Sequence, residues 1–329
     1  MKKILFITVT VLLLYSSCKT DFEINAEWKD ITVVYGLLSQ NDKTQFIKIN
    51  KAFLGDGNAL TMATNPDSCT YPPGTLDVWI EEWLNNSQSR QWTLHDTTII
   101  NKDPGTFYYP NQILYTFYAD TLYENAEYRL YIKNNTNGKV ISSKTPLVHN
   151  FSVIQPSDPQ AAAFHSPNPY QVKWYSAENG KLYQVTIRFN YWEKIVGASD
   201  STRKSVEWNL GTVKSQGTEG GKVMITDYYG DAFFQYLGNQ IQYNANMIRR
   251  VAVPNVEFIF SVAADDFNTY MEINAPSTGI NQEKPEYTNI TNGIGIFSSR
   301  FQIIKPHAMH TQSLYSLKNG QYTINLNFQ

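Results

Sequence analysis

The run Gln45-Phe46-Ile47-Lys48-Ile49-Asn50-Lys51-Ala52-Phe53 alternates apolar and polar residues. A period of two puts one face of a β-strand in a core and the other in water. Working outward, Ile31-Thr32-Val33-Val34-Tyr35-Gly36-Leu37-Leu38 reads as a buried strand, and Leu76-Asp77-Val78-Trp79-Ile80-Glu81-Glu82-Trp83 as another half-buried one. Further strands are expected at Gln91–His95, Ile113–Tyr118, Tyr128–Lys133 and Lys139–Ser143. The last two flank Asn134-Asn135-Thr136-Asn137-Gly138, whose Asn-Gly pair supplies the positive φ values of a hairpin turn. Short strands at this density predict an immunoglobulin-like β-sandwich over 30–154. The insert Gly55–Pro73 is expected to hold one helical turn, Asn58–Ala63, before the Asn65-Pro66 breaker.

Residues 155–169 carry Pro156, Pro159, Pro167 and Pro169. Proline fixes φ and donates no backbone hydrogen bond, so the stretch reads as a linker. Beyond it a β-rich domain, 170–329, is expected with one or two covering helices. Tyr170–Tyr175 and Leu182–Tyr191 are predicted to pair around Glu178-Asn179-Gly180, with Lys204–Val213 and Lys222–Thr226 continuing the sheet. A helix fits Asp231–Tyr243, where Phe233, Phe234, Leu237 and Ile241 share one face and Gly238 weakens the pattern. Val256–Val262 leads into a short helix from Asp265 to Met271, whose two aspartates suit an N-terminus. Gly293–Phe297, Phe301–Ile304 and the alternating Tyr322–Phe328 complete the expected strands. The fold class is therefore mostly β.

Composition narrows the function. The 27 basic and 29 acidic residues give a net charge of −2, which excludes nucleic-acid binding through a broad basic surface. A charged fraction of 17% beside 42% hydrophobic residues excludes a disordered chain. Two cysteines, Cys18 and Cys69, exclude a disulfide-dense scaffold or a Cys-rich metal site.

The N-terminus points to a compartment. Lys2 and Lys3 precede an apolar run, Ile4–Leu14, that suits a signal peptide and is shorter than the ~20 residues needed to span a bilayer. Tyr15-Ser16-Ser17-Cys18 resembles a bacterial lipobox, although Tyr15 departs from the usual small or aliphatic residue. The resemblance implies a signal peptide over 1–17, lipidation (palmitate among the acyl chains) at Cys18, and a tether over 18–29. The bland alternative is a secreted protein cut nearby with Cys18 left as a free thiol. Loss of Lys2 and Lys3 would make the mature chain two charges more acidic. Lys19 follows the cysteine where an inner-membrane retention signal would place aspartate, and Lys19-Thr20-Asp21-Phe22-Glu23 resembles a surface-export signal of Bacteroidota lipoproteins. The expectation is an outer-membrane location, anchored by lipid, with possible exposure at the cell surface.

The order of features also resembles a family of Bacteroidota cell-envelope lipoproteins that share a domain of unknown function. The resemblance rests on Cys18, the early strand Ile31–Leu38, Asp265-Asp266-Phe267-Asn268-Thr269-Tyr270, and Asn289-Ile290-Thr291-Asn292-Gly293-Ile294-Gly295-Ile296-Phe297. It implies an outer-membrane lipoprotein accompanying a TonB-dependent transporter, and carries over no catalytic residue. Read physically, Asn292-Gly293 suits a turn and Gly295 a close backbone approach. The following Phe297-Ser298-Ser299-Arg300 is a poor helix start for a phosphate loop.

No catalytic constellation stands out. His307 and His310 are three apart, not the four of a metalloprotease helix, and no nearby carboxylate or cysteine completes a shell. His95, His149 and His165 are scattered. Glu81 and Glu82 should point to opposite faces of a strand, and Asp265-Asp266 is explained by a helix cap. No Gly-x-Ser-x-Gly elbow is present, and Cys69 has no histidine partner in sequence. Among the tryptophans, most should fill cores. Trp79, Trp83 and Trp192 are the candidates for display, with Trp79 and Trp83 on one face opposite Val78 and Ile80. The expectation is a non-catalytic protein with no cofactor or metal, acting as accessory or ligand-binding partner of an outer-membrane transporter. The alternative is a surface glycan- or peptide-binding adhesin, and after that an envelope hydrolase.

Overall fold

The computed structural model describes residues 31–52, 59–275 and 286–329. Cys18, with the expected signal peptide and tether, lies outside the described residues. Among those residues no helix is long and apolar enough to cross a membrane.

The alternating runs form strands as their pattern requires. In β1 (Thr32–Ser39) and β2 (Thr44–Lys51), Val34, Leu38, Ile47 and Ile49 are buried while Tyr35 and Phe46 point out. Strands β3 (Leu76–Leu84), β4 (Ser87–Thr93), β7 (Glu127–Asn134) and β8 (Val140–Pro146) make a four-stranded sheet in the order β4-β3-β7-β8. Gly138 takes the positive φ expected between β7 and β8. This sheet faces β1, β2, β5 (His95–Ile100) and β6 (Asn111–Tyr118) across an aliphatic core of Val34, Ile47, Val78, Ile80, Leu130 and Ile132. Tyr128 opens β7 with its hydroxyl accepting from the Tyr123 backbone N–H at 2.7 Å, the tyrosine corner of immunoglobulin-like sandwiches.

The second half repeats the principle with longer strands. β11 (Gly180–Ile195), β12 (Thr202–Lys214), β14 (Met247–Ala264) and β15 (Gly293–His307) form one layer. The facing layer holds β9 (Val153–Gln155), β10 (Tyr170–Tyr175) and β13 (Val223–Tyr228).

Five helices are described: α1 (Ala59–Ala63), α2 (Pro66–Cys69), α3 (Gly230–Gln240), α4 (Asp265–Asn274) and α5 (Thr311–Asn319). Phe233, Phe234, Leu237 and Ile241 are buried on the expected face of α3. Gly238 is required there, because an added Cβ would lie 2.5 Å from the Tyr322 carbonyl oxygen.

The two layers nearest the chain's start and end are one sheet. β1 pairs in parallel with β15, giving the continuous order β12-β11-β14-β15-β1-β2-β6-β5. Strand alternation places Phe297, Phe301 and Ile303 of β15 on one face, where Phe297 enters the first core and the other two pack against the second. Both cores therefore hang from the same side of one sheet, and α4 lies on the other side, its Tyr270 ring 6.3 Å from that of Tyr35. Gly295 permits the seam: at φ +111° its added Cβ would lie 2.0 Å from the Val34 carbonyl oxygen.

Several expectations need correction. Residues 155–169 are not a bare linker, since Ala162 and Phe164 sit in the second core and Ala162 bridges Met309. Nor does everything after 170 belong to the second half, because Ile290 and Phe297 pack in the first core. β10 and β11 do not pair. They enter facing sheets, which sandwiches Trp174 against Tyr183 and Phe260 between layers. β13 extends β10 and not β12. Pro66, expected as a breaker, starts α2 under an Asn65 cap. Tyr322–Phe328 is no strand: Tyr322 and Ile324 are exposed, Leu326 and Phe328 are buried, and a 3-10 turn runs through Ile324–Leu326. The tail is held by Arg249, whose guanidinium donates to Leu326 O at 2.8 Å and whose backbone bonds Asn327 and Gln329. Helix α5, capped by the His310 side chain, has no counterpart among the expected elements; its buried positions are Ser313 and Leu317.

Candidate functional site

Alternation in β3 turns Val78, Ile80 and Glu82 inward and Trp79, Glu81 and Trp83 outward. Glu81 and Glu82 thus lie on opposite sides of the sheet and serve different ends. Outside, β7 brings Tyr131 opposite Trp79 and Arg129 opposite Glu81. The Trp79 and Tyr131 rings stack at 5.3 Å and 16°, and the Arg129 guanidinium carbon lies 3.9 Å from the Trp83 ring centre. Both indole N–H groups donate to Glu81, Trp79 at 3.2 Å and Trp83 at 2.8 Å. Arg129 is itself held by Glu127 at 2.8 Å. The result is a half-exposed, rigid strip of two tryptophans, a tyrosine and an arginine. Next to it runs a shallow polar groove of about 660 Å³ lined by Tyr131, Lys144, Asp266 and Asn289.

Beneath the strip, Glu82 is completely buried and receives Arg90 Nε at 2.8 Å, the Tyr128 hydroxyl at 2.7 Å and the Ser89 hydroxyl at 2.5 Å. Burial alone pushes this carboxyl up, but the bonds from Arg90, Ser89 and Tyr128 outweigh it and hold Glu82 below its ordinary value. This is a structural anchor that stiffens the sheet carrying the strip.

A deeper cavity of about 460 Å³ lies on the coreless face of the long sheet. Its floor is Val33 and Tyr35 of β1, Lys48 of β2 and Ile294 of β15. Cys69 of α2 walls one side, and Phe107 and Tyr108 come from the loop between β5 and β6. That loop is clipped in place by Tyr108 N–H to Ala63 O at 2.9 Å and Lys102 Nζ to Tyr108 O at 2.7 Å. Lys48, Lys51 and Lys102 all line the cavity, and among the described residues no carboxylate does. Burial raises the Cys69 thiol above its ordinary value although the three lysines oppose this, which favours the neutral thiol over the thiolate.

The remaining candidates do not assemble. Trp192 is 40% exposed, but on β11, between Arg203 and Arg250 in register, and so on a different sheet from Trp79 and Trp83. His307 is buried with Nδ1 on Gln160 O, whereas His310 caps α5 and stacks on His165 at 4.6 Å. Among the described residues no group of three or more metal-ligating side chains occurs. Asp266 does not cap α4, whose N-cap is Ala264. It accepts instead from the Tyr287 hydroxyl and from Asn289 Nδ2 at 3.1 Å. Asn289 in turn bonds both the N–H and the carbonyl of Phe297, so the Asn289–Phe297 run is structural glue at the seam.

No protein-family model matches the chain, and no curated protein matches it. Among solved structures it is similar to the C-terminal globular domain of an oligosaccharyltransferase from Pyrococcus abyssi, at 12% identity and a TM-score of 0.26. That match spans 70% of this chain and 47% of the other, and at this TM-score it carries no argument about activity.

Proposed function

We propose that this protein is a non-catalytic, lipid-anchored protein of the outer membrane that docks through its Trp79–Trp83 strip onto an outer-membrane transporter. The observation that carries this is the strip itself. Trp, Tyr and Arg are the side chains that dominate the energetics of protein interfaces, and rings already fixed by Glu81 lose little freedom on binding. A glycan-binding reading fits less well. Sugar hydroxyls need free planar polar groups, whereas both Glu81 oxygens are taken by indoles and Asn289 is taken by Phe297. A membrane partner is favoured by geometry at the N-terminus. Only thirteen residues separate Cys18 from β1, at most about 50 Å of extended chain, so a lipid on Cys18 would keep the first half near the bilayer.

Affinity capture from gently solubilised membranes tests the reading. The wild-type chain should retain a transporter and the Trp79→Ala/Trp83→Ala double variant should lose it. Capture of no transporter by the wild type would sink the proposal, and equal capture by the variant would remove the strip from it. Cys18→Ala should release the protein from membranes and abolish palmitate labelling.

A further inference from the structure

The cavity on the coreless face combines an apolar lining with a cluster of basic side chains. Its walls are largely apolar: Val33, Tyr35, Phe107, Ile113 and Ile294 all contribute. Into this lining converge Lys48, Lys51 and Lys102, each half-buried. Among the described residues none of the three has an ion-pair partner, and only Lys102 makes a hydrogen bond, to the neutral carbonyl of Tyr108. Ammonium groups gathered beside one another and left unpaired are disfavoured by mutual repulsion, to which burial adds at Lys48. Nor is general basicity the cause, because the chain is net acidic. The volume, about 460 Å³, is that of an ordinary small-molecule site.

We infer that this cavity binds a small anionic amphiphile, with a single carboxylate, phosphate or sulfonate head against Lys48, Lys51 and Lys102 and an apolar body between Tyr35, Phe107 and Ile294. The head would supply the missing counter-charge, and the aromatic and aliphatic walls would take the body out of water. Lys48 stands to gain most: burial, and then the charge of Lys102, depress it below its ordinary value, and an adjacent anion relieves that penalty. The site is on the far side of the long sheet from both cores, so it goes beyond the docking role and does not depend on it.

Two fluorescent probes that share one ring system separate the parts of this inference. One is 1-anilinonaphthalene-8-sulfonate, an anion, and the other is N-phenyl-1-naphthylamine, which is neutral. The full chain should bind the sulfonate saturably at one site and more tightly than the neutral probe. Lys48→Gln/Lys51→Gln should weaken the sulfonate by about tenfold or more, the usual worth of a lost charge-assisted contact, and leave the neutral probe within about twofold. Lys48→Arg/Lys51→Arg, which keeps both charges, should retain sulfonate binding and so separates loss of charge from loss of fold. Equal affinity for the two probes in the wild type would overturn the anionic head, and an unchanged sulfonate affinity in the Gln variant would overturn the site.

Discussion

The two cores share a sheet but are packed with different material. The first is mainly Val, Leu and Ile, whereas the second is packed with rings: Phe164, Trp174, Tyr183, Phe189, Phe233, Phe258 and Phe260 are all fully buried. The second core thus takes up much of the buried aromatic content. What remains informative is where the first half, with an aliphatic core, turns its aromatics outward. Trp79 and Trp83 are not needed inside, and they sit on a sheet stiffened from below by a buried carboxylate. Among the described residues each half also buries one acidic or strongly basic side chain, of opposite sign. Glu82 is sealed among Arg90, Ser89 and Tyr128 under the aromatic strip. Arg249, 2% exposed, clasps Glu193, Gln242 O and Leu326 O and ties the C-terminal tail to the second core. One charge supports a surface, and the other supports a chain end.

Mutations that remove these anchors should separate the two halves. The largest effect is expected at Arg249→Ala, which leaves Glu193 and two carbonyls without their donor and should cost about 3 kcal/mol. Urea unfolding measures it, and a cost below about 1 kcal/mol would mean the tail clasp contributes little. Tyr128→Phe removes the hydroxyl shared by Glu82 and the Tyr123 N–H and should cost about 2 kcal/mol. Acid should act on the same anchor. Because the folded Glu82 value is depressed, its stabilisation is complete above the ordinary carboxylate value near 4.3 and is lost as pH falls through the lower folded value. Glu82→Gln should flatten that part of the stability–pH curve, and a curve that keeps its wild-type slope would assign the acid sensitivity elsewhere. The smallest stability effect is expected at the strip. Trp79→Ala should cost only about 1 kcal/mol, since the ring is half-exposed and gives up one stacked partner, Tyr131. A large loss of transporter capture with so small a loss of stability would mark the strip as an interface and not as a structural element.

The strip was legible in the sequence and the cavity was not. Trp79 and Trp83 are an even number of residues apart in an alternating run, so their common face follows from strand geometry alone. The helix over α3 was legible for the same kind of reason, its apolar spacing. By contrast Lys48 and Lys51 belong to β2 while Lys102 comes from a loop some fifty residues on, and nothing local connects them. The tail misled because Tyr322, Ile324, Leu326 and Phe328 alternate as a strand would, yet only the last two find a core.

Sequence by itself determined that this chain is mostly β and which faces of its early strands are apolar. Tertiary structure alone decided that β1 lies beside β15, that β10 and β11 face each other across a core, and that three lysines meet in one cavity. The reason is physical. A period of two specifies which side of a strand seeks a core, but backbone hydrogen bonds are alike along every strand. The neighbour is chosen by long-range packing and by single permissive positions such as Gly295, whose lack of a Cβ lets the Val34 carbonyl approach.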